Sequence, residues 1–130
     1  MKLLTITIIS LFLFEFSVAA QNVEAVQEKI QEVYADDASR ILDNEMLFNF
    51  YSTLINERIQ YITQPYQSDE KYPKLSEIDL LNKKNPNLER DSSFDPDTFN
   101  PLKYNFNFTS SGKQLYRVDE TDYLILILPQ

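Results

Sequence analysis

Tyr123 to Leu128 reads YLILIL, six residues in which nothing beyond the tyrosine hydroxyl is polar. Side chains alternate across a strand, so this segment turns apolar groups to both sides. It is shorter than an ordinary helix, and Pro129 stops it. A strand of this kind needs cover on its faces and neighbours on its edges. The rest of the chain must therefore supply a sheet around it and a layer packed on that sheet.

The residues upstream read as those neighbours. Gln114 to Val118 (QLYRV) is a second strand, joined to the first by the turn Asp119 to Asp122 (DETD). Tyr104, Phe106 and Phe108 alternate with Asn105, Asn107 and Thr109, the pattern of a half-buried strand. Ser110 to Lys113 separates the two, and Gly112 is the one glycine of the chain. A positive φ is expected there, because glycine adopts it without strain.

Further upstream the period changes. Val23, Val26, Ile30, Val33 and Tyr34 recur at three- and four-residue steps, so 22–35 is read as a helix with an acidic exposed face. Asn22 is its expected N-cap. Asp36, Asp37, Asp43 and Asn44 compete with helical hydrogen bonds, and a break is expected among them. Asn44 or Asp43 then caps a second helix, on which Leu47, Phe50, Tyr51, Leu54, Arg58 and Tyr61 share a face. Its end is ambiguous, since Arg58 to Thr63 also alternates as a strand.

Residues 64–102 hold Pro65, Pro73, Pro86, Pro96 and Pro101 and little periodicity. A helical turn at Ser76–Leu81 is expected, with Ser76 as cap and Asp79 in the capping-box position. Leu75, Ile78, Leu80, Leu81, Leu88, Phe94, Phe99 and Leu102 have no use in a solvated linker. The segment is expected to wrap the core, pinned by these side chains. The fold class is thus α+β. It comprises two N-terminal helices, a long irregular connection, and a C-terminal antiparallel meander of three to four strands, with the helices on one face.

The N-terminus carries a different message. Lys2 precedes the uncharged run Leu3 to Phe14, and Ser17, Ala19 and Ala20 follow. This is the order of a secretory signal peptide. Residues 1–20 are read as a cleaved leader and 21–130 as one domain, exported to a periplasm or beyond the cell. No later apolar run is long enough to span a membrane.

Composition narrows the chemistry. The chain has no Cys and no His, which excludes disulfides, thiol nucleophiles, imidazole ligands and the common triads. One glycine excludes a P-loop and the dinucleotide fingerprint. A net charge of -8 with no basic stripe argues against nucleic acid. No cofactor is expected.

Three candidate constellations remain. Asp91, Asp95, Asp97 and Asn100, with Ser93, offer oxygen ligands for Ca²⁺, without the EF-hand glycine or its bidentate Glu. Asp119, Glu120 and Asp122 are paired carboxylates on a turn, the raw material of an acid-residue hydrolase, as is the 91–97 group. Phe94, Phe99 and Tyr104, with Tyr61, Tyr66 and Tyr72, suit sugar stacking or protein contact, or simply plug the wrapping segment into the core. Ser68–Lys71 and Ser110–Lys113 match Ser-x-x-Lys off any expected helix, and Asn107 heads a glycosylation pattern. The expected function is a small, exported, non-catalytic binding module whose partner is another protein or a surface polymer; the alternatives are a small acid-residue hydrolase and a calcium-stabilised structural module. A sheet edge, at Gln114–Val118 or the final strand, is a further contact candidate.

Overall fold

The computed structural model describes residues 22–130, so the leader assigned to residues 1–20 lies outside the described residues. The first helix, α1, spans residues 22–34. It buries Val26, Ile30 and Val33, the stripe expected from their spacing. Ala35 ends it with a φ of 47°, a left-handed conformation uncommon outside glycine. A 3₁₀ turn at Ala35–Asp37 leads into the short α2 (Ala38–Leu42), which buries Ala38 and Ile41.

Asn44 is extended and accepts the Leu47 N–H on its side chain at 3.1 Å, which starts α3 (Glu45–Thr53). No residue of α3 is fully buried. Phe48, Phe50 and Tyr51 lean half-buried on the core, while Met46 stays 83% exposed. The Tyr34 and Tyr51 hydroxyls meet at 2.9 Å and tie α3 to α1. At Leu54–Arg58 the helix widens into one π turn. That turn buries Leu54, and Ile59 donates back to the Leu54 carbonyl. The extra residue per turn re-aims the chain into β1 (Ile59–Thr63).

Gln114–Arg117 forms β2 and Tyr123–Ile127 forms β3. The sheet is antiparallel with the order β1-β3-β2. The architecture is α+β, with helices first and the antiparallel sheet completed at the C-terminal end. β3 lies in the centre, as its doubly apolar sequence requires. Its buried residues Ile125 and Ile127 share the helix-facing side with Ile59, Tyr61 and Tyr116. On the other face Leu124 and Arg117 are buried, and Ile62, Leu115 and Leu126 are half-buried.

Two local expectations are corrected. Residues 104–109, expected as the first strand of the meander, form no strand of the sheet, whose third strand is 59–63, the segment that alternates at the end of the second helix. Tyr104 makes only an isolated bridge with Leu80, and neighbouring amides turn elsewhere: Asn105 N–H to the Asp79 carbonyl, Phe106 N–H to the Tyr104 carbonyl. Gly112 does not have a positive φ; in the β2–β3 turn that role falls to Glu120, at 60°.

The wrapping segment is pinned as its apolar residues suggest. Leu75, Leu88, Phe99 and Leu102 are buried, and Ile78, Leu80, Leu81 and Phe94 are half-buried. Its aromatics join a continuous row through Tyr61, Phe94, Phe99, Tyr104, Phe106 and Tyr116, with centroid spacings of 4.7 to 5.9 Å. The expected turn at 76–81 is shorter, a 3₁₀ turn at Leu75–Glu77, in which the Glu77 carboxylate accepts the Lys74 N–H at 2.7 Å. Ser76, expected to cap it, faces Asp119 instead. Among the described residues, no helix is long and apolar enough to cross a membrane.

Candidate functional site

Three segments leave a cleft where they converge. They are the turn around Leu75 and Ser76, the stretch 90–94, and the turn after β2 at 118–121. Its volume is about 550 Å³, inside the range of roughly 300–1,000 Å³ typical of ligand sites. Leu75, Val118 and Tyr104 give it a buried apolar base, and half-buried Phe94 forms one wall.

The polar lining is held from behind. Ser76 donates to Asp119 twice, from N–H at 2.9 Å and from Oγ at 2.7 Å. Partial burial pulls the Asp119 carboxyl upward, but these donors outweigh it and hold the group below its ordinary range. Burial pushes the Tyr104 hydroxyl up to about 12, so at neutral pH it stays a donor, to Asp91 at 2.7 Å. Asp91 also accepts from Lys103 Nζ at 3.2 Å. Arg90 lies over the Tyr104 ring, 5.8 Å from its centroid, and donates to the Leu75 and Ile78 carbonyls at 3.3 and 2.5 Å. A second, more open hollow of about 420 Å³ shares Arg90, Asp91 and Ser92 with the cleft and is also lined by Glu32, Asn85, Leu88 and Lys103.

Of the metal candidates, Asp91 is taken by Tyr104 and Lys103. Asp95 caps its own turn by accepting the Asp97 N–H at 2.9 Å, while Asp97 itself is exposed. Asn100 is buried, donates to the Lys29 carbonyl and Glu32, and accepts the Leu102 N–H. Among the described residues, no three His, Cys, Asp or Glu side chains gather as a metal-holding group. Of the carboxylates on the β2–β3 turn, Asp119 and Glu120 line the cleft and Asp122 does not. The cleft instead brings Asp119 together with Asp91, from the other candidate group.

Of the aromatic candidates, Phe99 and Tyr104 are core residues, 3% and 1% exposed, and Phe94 lies between core and cleft. Ser76 and Arg90 were not singled out as site residues in the sequence. Ser76 meets Asp119 across 43 positions, and no local pattern announces such a pair. Of the suggested sheet edges, the final strand is the central one and has none free. The edge of β2 is partly closed, because Arg117 N–H donates to the Pro73 carbonyl at 2.8 Å.

Compared with known family models, curated proteins and solved structures, the chain matches none.

The depressed Asp119 carboxyl has a measurable consequence. Its folded pKa lies below the unfolded one, so its contribution is present above the ordinary aspartate value of 3.8 and lost as the pH falls through the folded pKa. Asp119→Asn is expected to lower Tm at pH 6, with the gap to wild type closing as the pH falls below the ordinary aspartate range. Thermal denaturation followed by circular dichroism checks this. A gap that stays constant across the range would mean that Asp119 is not held ionised by Ser76.

Proposed function

We propose that this chain is a small, exported, non-catalytic binding protein, and that the cleft between 90–94 and the β2–β3 turn receives its partner, another protein or a surface polymer. The observation that carries this reading is the way the cleft's polar groups are secured. Asp119 is fixed by Ser76, Asp91 by Tyr104 and Lys103, and Arg90 by two backbone carbonyls. Groups fixed in place present a surface at little ordering cost, which favours recognition. An acid-residue hydrolase needs one carboxyl that holds a proton near working pH. Asp119 is displaced in the opposite direction and so fits only the ionised member of such a pair. The leader-like N-terminus supports export.

The test is a crosslinking co-purification from the native host, with the full gene carrying a C-terminal tag. The expected result is a dominant exported partner or polymer whose crosslinks map to 90–94 or 118–121. A monomeric protein that recovers nothing beyond a tag-only control, or crosslinks confined to other surfaces, would remove the cleft from the argument.

A further inference from the structure

Asn107-Phe108-Thr109 is the one Asn-x-Ser/Thr sequence of the chain in which x is not proline. A strand would commit its backbone to a ladder. Residues 104–109 join no strand of the sheet, and this triplet lies in a turn with Asn107 and Thr109 both exposed. The two side chains that the pattern specifies build the turn. Asn107 Oδ1 accepts from the Thr109 N–H and from Thr109 Oγ1, each at 3.2 Å. Such an Asx turn closes over two residues and needs nothing from the rest of the fold to form.

The backbone behind the turn is anchored. Gln114 Nε2 donates to the Asn107 carbonyl at 2.7 Å, and Arg58 Nη2 donates to the Phe108 carbonyl at 2.6 Å. Asn107 Nδ2, by contrast, donates to no acceptor among the described residues. Both donors from Thr109 fall on the oxygen of the side-chain amide. They draw charge toward that oxygen, so an Nδ2 proton is more easily lost. The nitrogen that carries the sugar in an N-linked glycan is thus free and exposed, beside the hydroxyl that the pattern requires.

We propose that Asn107 is a site of N-linked glycosylation. In the transfer, Nδ2 attacks the anomeric carbon of an oligosaccharide carried on a lipid pyrophosphate, presented by a membrane oligosaccharyltransferase of the export route. The N–C bond forms as the C–O bond to phosphate breaks. The lipid pyrophosphate leaves with the electron pair, and one Nδ2 proton passes to a base of the transferase. The proposal rests on the export reading above, since only a chain entering that route meets the donor. It does not rest on the cleft. Gln114, which touches Asn107, begins β2, and the cleft lies past the other end of that strand at 118–121, so the glycan is rooted away from it.

The experiment recovers the full chain, tagged at its C-terminus, from the exported fraction of the native host. Intact mass and the peptide spanning Asn107 are then measured. The expected result is a glycan mass on Asn107 that an N-glycosidase removes, leaving aspartate at that position. Asn107→Gln and Thr109→Ala are each expected to abolish the mass shift, while Thr109→Ser, which keeps the hydroxyl, retains it. An exported wild-type chain bare at Asn107 overturns the assignment, as does a glycan that survives Asn107→Gln or Thr109→Ala. If the native chain is not exported, a second arm decides: the full chain placed behind the leader of a glycosylating eukaryotic host. Modification at Asn107 in that arm keeps the acceptor and removes only export by the chain's own N-terminus. A secreted chain that stays bare there removes the acceptor and leaves the export reading to its own test.

Discussion

Arg117→Met is expected to lower the free energy of unfolding by about 3–5 kcal/mol, the usual cost of removing one partner from a buried ion pair. That corresponds to a fall of roughly 10–20 °C in Tm for a chain of this size. The reason is the number of groups that one guanidinium satisfies. Arg117 is 2% exposed at the end of β2. Its Nε and Nη2 donate to both oxygens of Glu70 at 2.8 and 2.6 Å. Its Nη1 donates to the Gln64 carbonyl at 2.7 Å and, more weakly, to that of Thr121 at 3.3 Å. The Tyr66 ring lies alongside, with its centroid 5.9 Å from the guanidinium carbon.

Methionine fills the space and answers none of these acceptors. Glu70 is left without its counter-ion and the carbonyls without a donor. The double variant Arg117→Met, Glu70→Leu is expected to recover much of the loss, because it removes the orphaned carboxylate as well. Chemical denaturation of the four proteins of this cycle measures both effects. A single variant within about 1 kcal/mol of wild type would show that the pair is solvated and structurally idle.

Phe99→Ala is expected to cost about 3–5 kcal/mol, from lost burial and from the cavity it leaves. Phe99 is 3% exposed, and its ring contacts three others: Phe94 at 5.0 Å, Tyr104 at 5.5 Å in a near-parallel stack, and Tyr61 at 5.7 Å. Tyr61 belongs to β1, Phe94 to the wrapping segment and Tyr104 to the stretch that follows it, so this ring fastens that part of the chain to the sheet. The loss should therefore be accompanied by faster amide exchange across 91–104 than across β3. Phe99→Leu keeps most of the apolar volume and should cost less. Uniform acceleration across the molecule, with no bias toward 91–104, would contradict a fastening role.

These two residues also show what was legible in the sequence. Phe99 was readable as an anchor, because a large apolar residue in a Pro-rich stretch has few other uses. Arg117 was not, since one arginine in QLYRV looks like the wet position of an alternating strand. Its burial depends on Glu70, 47 positions earlier, and on carbonyls from two other turns. The segment 104–108 illustrates a different limit. Its alternation correctly separates buried Tyr104 and Phe106 from exposed Asn105 and Asn107. Alternation reports where side chains go and says nothing of where amides go, and here the amides of 105 and 106 bond within the wrapping segment. Arg58–Thr63 was balanced between helix and strand, and the deciding contact is the ladder with β3, which no local window contains. The cleft suffers most from this. Asp91 and Asp119 were each visible as acidic loop residues, but only the tertiary fold places them around one space.

The order β1-β3-β2 has a consequence for how this chain acquires its shape. A polypeptide made from its N-terminus presents both outer strands before the one that joins them. β1 and β2 share no ladder, so neither can dock on the other while β3 is still to come. Arg58 must wait for Phe108, 50 positions downstream, for one side-chain acceptor, and for Leu128, 70 positions downstream, for the other and for the partner of its carbonyl. Contacts this distant slow folding, because the intervening chain has to be closed into a loop first. The helices can flicker into existence early, but their apolar stripes have no sheet to rest on until β3 arrives. The sheet is therefore completed only when the last strand made joins the two outer ones.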